Sequence, residues 1–197
     1  MRAPEQYEVT GLGLSGTQYT VEQVGQDENF RPEYEARDVT GEPLFRCTYN
    51  MYEGTDSFPF VDADGEELCT VEASDTWDIA GEYVLTDSRR DEPLVVLDND
   101  LSFLEDTWRI RDTTDDALLA EINSRGGVIT AARKVLPIGQ WIGHQFDVRD
   151  ADGDSVGTIE SDFAIHDQYD ISISDSSSVP IDPIVIATVV IDAIQGN

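Results

Sequence analysis

The sequence predicts a mainly β protein: a closed antiparallel barrel of about twelve strands around a central hydrophobic C-terminal α-helix. Three observations lead there. The run Pro183 to Gln195, PIVIATVVIDAIQ, is apolar on every side, so as a helix it must be buried all round. A short unit recurs five times: an aromatic, three residues of strand character, an Asp, a turn, then a second strand. Strands with one apolar face leave long unpaired edges unless the sheet closes on itself.

In chain order, Gln18 to Val24 (QYTVEQV) reads as a single opening strand. The hairpins then begin at Tyr34-Glu-Ala-Arg-Asp38, Phe58-Pro-Phe-Val-Asp62, Tyr83-Val-Leu-Thr-Asp87, Trp108-Arg-Ile-Arg-Asp112 and Phe146-Asp-Val-Arg-Asp150. In most of them the aromatic and the next apolar residue are two apart, so they share one face of a strand. Asp at the turn entry, with Asp-Gly or Thr-Gly behind it, is hairpin chemistry. The returning strands are Pro43 to Thr48, Glu67 to Ala73, Pro93 to Leu97, Ala117 to Ile122 and Ser155 to Ile159. The fourth interval between aromatics is longer than the first three, and the excess falls in Asn123 to Gln145. Gln168 to Ser174 (QYDISIS) is the last strand, and Asp175 to Pro180 a polar linker.

Asp182 is placed as the N-cap of the terminal helix, Pro183 as its first residue and Gly196 as its stop. A helix of about 13 residues and a strand of about six are both about 20 Å long, so the rod fits the can. The β-branched content leaves open a buried strand instead, and with it a two-sheet sandwich. A membrane span needs about 20 apolar residues, and Asp192 interrupts this run, so the chain is not read as an integral membrane protein. No boundary divides residues 1–197, which are taken as one domain.

The chain carries 41 acidic residues against 12 basic ones, a net charge of −29, and Lys134 is its only lysine. The acids sit in nearly every turn and along strand faces, as on a solvated surface. In this the sequence resembles cytoplasmic proteins of extremely halophilic archaea, for which molar salt screens such self-repulsion. A DNA mimic would instead need phosphate-like clustering. Nucleic acid is not an expected partner, because its phosphates would be repelled. Cys47 and Cys69 are no disulfide scaffold; they read as small buried apolar residues on returning strands of consecutive hairpins. The opening MRAPEQYEVTGLG has no apolar core of a secretory signal, so cytoplasmic is the expected localisation.

The units Tyr34-Asp38-Gly41 and Phe58-Asp62-Gly65, the late Phe146-Asp-Val-Arg-Asp150, then Gln168-Tyr-Asp-Ile-Ser-Ile-Ser174 and the closing DPIVIATVVIDAI resemble the LURP-one-related family. That family is grouped with the Tubby C-terminal domain and the phospholipid scramblases. The resemblance runs from about Gln18 to Ile194. It implies a twelve-stranded barrel around a hydrophobic helix whose core positions are Ile184, Ile186, Val189, Val190, Ile191 and Ile194. It does not imply an enzyme, and the expected role is non-catalytic binding or scaffolding.

Asp62-Ala-Asp64-Gly65-Glu66 and Asp150-Ala-Asp152-Gly153-Asp154 suggest calcium, but an EF-hand loop needs Gly at position 6 and Glu at position 12. Hairpin turns are the better reading, and no metal or other cofactor is expected. His144 and His166 are the only histidines, and neither Cys sits in a nucleophile motif, so a hydrolase is a minor alternative. Arg125, Arg133 and Lys134 form the one local excess of positive charge, with Arg109 and Arg111 on a nearby strand. Apolar Val128, Ile129, Trp141 and Ile142 flank them, a composition that suits an anionic lipid headgroup or a phosphate-bearing ligand. The competing reading is a longer strand pair whose arginines meet surface carboxylates. The expected partner is thus an anionic lipid surface, or a protein that meets the acidic exterior.

Overall fold

The computed structural model describes residues 4–51, 55–74, 82–101, 106–125, 145–162 and 168–195. Its twelve strands are β1 Gln18–Gln26, β2 Pro32–Asp38, β3 Pro43–Thr48, β4 Ser57–Val61, β5 Glu67–Ala73 and β6 Glu82–Asp87. They continue as β7 Glu92–Leu101, β8 Asp106–Asp112, β9 Leu118–Ser124, β10 Gln145–Asp150, β11 Ser155–Asp162 and β12 Gln168–Ile173. Each pairs antiparallel with its sequence neighbours, and β1 pairs with β12, from Gln18↔Ser172 to Glu22↔Gln168. The sheet is therefore a closed barrel and not a sandwich.

The recurring aromatics explain how the wall is filled. Phe58, Tyr83, Trp108 and Phe146 all face inward and are buried, as is Tyr34. Phe58 meets Tyr83 at 6.3 Å, and Tyr83 meets Trp108 at 6.0 Å between ring centroids. Tyr49 stacks on Phe58 at 4.5 Å with parallel planes. Three aromatics of the repeat thus form a row of neighbouring rings across β4, β6 and β8.

A second repeat is invisible in the primary text. Each of the five hairpins carries a bulge at the same place, one or two residues into the returning strand. Ala36 pairs with Phe45 but Arg37 with Pro43, and the same slip recurs at β4–β5, β6–β7, β8–β9 and β10–β11. The unpaired residues are Leu44, Leu68, Leu94, Leu119 and Val156. A bulge lets two successive residues face one side. Leu68 with Cys69, and Leu94 with Val95, are accordingly buried together. Leu119 and Val156 are buried as well, and Leu44 packs partly buried against the same core, so the bulges add five apolar side chains at the hairpin end. Cys47 and Cys69 are free and buried, and flank Phe60 in register on β3 and β5.

The lumen is filled by the helix α1, Ile181–Gln195. Ile184, Val185, Ile186, Ala187, Val189 and Val190 point to every side of this helix, and all six are fully buried. Ile191 is nearly so. Ile194 is partly buried against the same core. The helix begins two residues earlier than Pro183, so Asp182 is not its N-cap. Pro183 still lies in the first turn, where a missing N–H costs nothing. The Asp182 carboxylate, freed from capping, serves another segment.

Candidate functional site

The barrel has two unlike ends. At the hairpin end a strap, residues 4–16, crosses the mouth. It opens with the 3-10 turn Pro4–Tyr7 and buries Tyr7, Val9 and Leu14 against the core. Three inward carboxylates hold it. Asp182 accepts the Val9 N–H at 2.8 Å and the Leu14 N–H at 3.0 Å. Asp87 accepts the Thr10 N–H at 2.7 Å, and Asp112 accepts the Tyr7 hydroxyl at 2.6 Å. Asp87 and Asp112 are the turn Asp residues of the third and fourth hairpins, and both are buried. Sequence reading missed the strap: its anchors lie up to 173 residues away.

The electrostatics differ among the anchors. Burial pushes the Asp182 carboxyl up to about 6, against the opposing pull of the Val9 and Leu14 N–H groups. Burial acts the same way on Asp112, but hydrogen bonds from Tyr7, Thr114 and Asp115 outweigh it and hold that carboxyl at about 2. Asp87 likewise lies below the ordinary range, with burial overcome by Thr10 and Arg90.

The other turn carboxylates do local work. Asp62 Oδ1 accepts the N–H groups of Asp64 and Glu66 at 3.0 and 2.9 Å, and Asp150 does the same for Asp152 and Asp154. These residues make hairpin turns, as their composition indicates.

Of the predicted anion contact, Arg125 is described and Arg133 and Lys134 lie outside the described residues, as do His144, His166 and Trp141. Arg125 sits just past β9, at the end of the barrel away from the strap. Its Nε–H donates to Asp147 Oδ1 at 2.7 Å, and its Nη1 lies 3.6 Å from Glu160. Arg109 pairs with Asp98 and Glu121, and Arg111 with Asp98 and Asp116. Glu35 takes both Arg37 and Arg46. Among the described residues each arginine meets a carboxylate, apart from Arg149, which donates to the Gly153 carbonyl at 2.9 Å. Exposed pairs of this kind contribute little stability. With the arginines so matched, acid remains in excess, since 41 acidic residues face 12 basic ones in the chain. Among these residues no helix is long and apolar enough to cross a membrane.

A closed antiparallel barrel threaded by its own C-terminal helix defines the Tubby-like class of domain. Within it the chain belongs to the LURP-one-related family, whose family model matches residues 17–192. The strap from Pro4 to Gly16 precedes the matched stretch. A comparison with curated proteins finds no match.

Proposed function

We propose that this domain is a non-catalytic binding or scaffold module that meets its partner on its rim or outer wall, in a cytoplasm of high salt. One observation carries the reading. The lumen, where a barrel of this size would hold a ligand, is occupied by α1 with its central residues fully buried. Family membership supports the same conclusion.

The contact chemistry proposed is an anionic lipid or phosphate-bearing ligand at Arg125, Arg133 and Lys134. The test is a liposome pull-down with anionic lipids in molar KCl, with wild type beside Arg133→Ser/Lys134→Ser. Binding that the double variant loses supports the reading. Absence of binding by the wild type removes it. A second reading, a protein partner docking on the acidic wall, is favoured by the commitment of Arg125 to Asp147 and Glu160. It expects the double substitution to leave partner binding unchanged.

A further inference from the structure

The turn between β1 and β2 repeats, bond for bond, a turn used elsewhere in the barrel. Asp27 donates its N–H to the Arg31 carbonyl and accepts the Phe30 N–H on its own carbonyl, both at 3.0 Å. Its Oδ1 accepts the N–H groups of Asn29 and Arg31, each at 2.9 Å. The same four bonds build the turns at 38–42, 62–66 and 150–154.

In those three turns the fourth residue is Gly41, Gly65 or Gly153, with φ of 84°, 81° and 87°. Here it is Phe30, with φ of 64°. The left-handed residues of two other hairpins are Asp91 and Asp116, a type that tolerates this region. A bulky aromatic there is a genuine outlier. Nor does core packing hold it, since Phe30 is 77% exposed. The chain thus has a glycine solution to this turn, uses it three times among the described residues, and departs from it here, where the side chain points into solvent. Strain of this kind marks functional positions when the surroundings enforce it.

The surroundings do enforce it. The Arg31 guanidinium grips Asp27 Oδ2 through Nε at 2.7 Å and Nη2 at 2.5 Å, and donates from Nη1 to Asn50 Oδ1 at 2.6 Å. Asn50 faces this turn from the end of the next ribbon, and the adjoining Met51 is also exposed. Glu28 is exposed in the same turn, and Glu33 follows it on β2. With Arg31 already matched by Asp27, these two carboxylates leave the turn that carries Phe30 with an acidic collar.

We propose that Phe30 is an anchor that inserts into an apolar pocket rimmed by Lys or Arg on a protein partner. An aromatic fixed by a rigid turn loses little freedom on docking, and such residues dominate interface energetics. The collar selects against anionic bilayers and phosphates and calls for a cationic rim. The proposal rests on the binding-module reading and is independent of the basic loop.

The test places the photo-crosslinker p-benzoylphenylalanine at position 30 of the full chain in the producing cells, with Val39 as control. Val39 is as exposed as Phe30, at 73%, in the equivalent turn of the opposite end. The expected result is a protein adduct from position 30, absent from position 39, whose crosslinked peptide maps to an apolar pocket bordered by Lys or Arg. That partner, purified, should bind Phe30→Gly about tenfold or more weakly than wild type. Phe30→Gly adopts the turn its three siblings already use, so it should fold and melt higher than wild type. No protein adduct above the control, an adduct with lipid, or equal binding by Phe30→Gly overturns the proposal. Equal binding of an identified partner would still leave the domain a binding module, whereas no adduct at either position together with a blank liposome pull-down would count against that reading too.

Discussion

Val189→Asp tests the central helix most directly. Val189 is fully buried in the middle of α1, on the barrel axis. Removing its side chain from the core forfeits about 1.5–3 kcal/mol of apolar burial. Among the described residues the carboxylate that replaces it has no cation within the lumen, so it must stay protonated to remain inside. Holding an acid of ordinary pKa near 3.9 protonated at pH 7.5 costs roughly 5 kcal/mol. Together the two effects come to about 6–8 kcal/mol, comparable to the whole stability of a domain of this size. Val189→Ala is the size control, expected to cost about 2 kcal/mol and to lower Tm by about 4–8 °C. Thermal unfolding followed by far-UV circular dichroism in molar KCl separates the outcomes. Val189→Asp should be unfolded or melt more than about 15 °C below wild type. A Val189→Asp variant that melts within a few degrees of Val189→Ala would refute the central-helix argument.

Other outcomes follow from the anchors and the charge. Asp182 is harder to ionise in the folded chain than in the unfolded one, so its contribution to stability is present below about pH 4 and is lost as pH rises through about 6, by roughly 3 kcal/mol. Urea titrations of wild type and Asp182→Ala from pH 4 to 7.5 should show the wild type losing ground relative to the variant; movement the other way contradicts the assignment. Tyr7→Phe removes the hydroxyl on Asp112, should cost about 2 kcal/mol, and should loosen the strap, read as faster amide exchange at Val9 and Thr10 and a higher Asp112 titration midpoint. Lowering KCl from molar to about 0.1 M lengthens the screening distance from about 3 to about 10 Å. With a net charge of −29 the Tm should drop, and an unchanged Tm would argue against self-repulsion as a term in stability.

The fold was legible where physical periodicity was local. Phe58 and Phe60 lie two apart with Asp62 behind them, and that spacing alone gives an inward face and a turn. The returning strands Pro43–Thr48 and Glu67–Ala73 fall where the alternation places them. The helix was legible because Ile184 to Ile191 offers no polar face. What escaped was non-local or carried by backbone conformation. Asp182 looked like a cap because capping is the nearest use for an Asp before a Pro; its real partners, Val9 and Leu14, come from the other end of the chain. The bulges at Leu44, Leu68, Leu94, Leu119 and Val156 leave no mark in composition, since an extra Leu beside an inward residue reads as ordinary strand. Phe30 escaped because its turn lacks the glycine that announces the others, although Asp27 stands where their Asp residues stand. Of the candidate site, charge made Arg125 conspicuous, but the sequence could not show that Asp147 and Glu160 already hold it.

The order in which the barrel is wound has a consequence for its birth. The filling is the last segment of the domain to leave the ribosome, and the seam that closes the wall joins Thr20 to Asp170. Until that final stretch emerges, the nascent chain is a ribbon of strands whose inner faces have nothing to bury against. Contacts this distant in sequence form slowly. The domain's last segment must therefore emerge before the molecule can condense, and the exposed ribbon must stay dispersed meanwhile. Negative charge in the turns and along most strands keeps unfinished ribbons apart from one another, so the acidity that suits the mature surface also guards the interval before that surface exists.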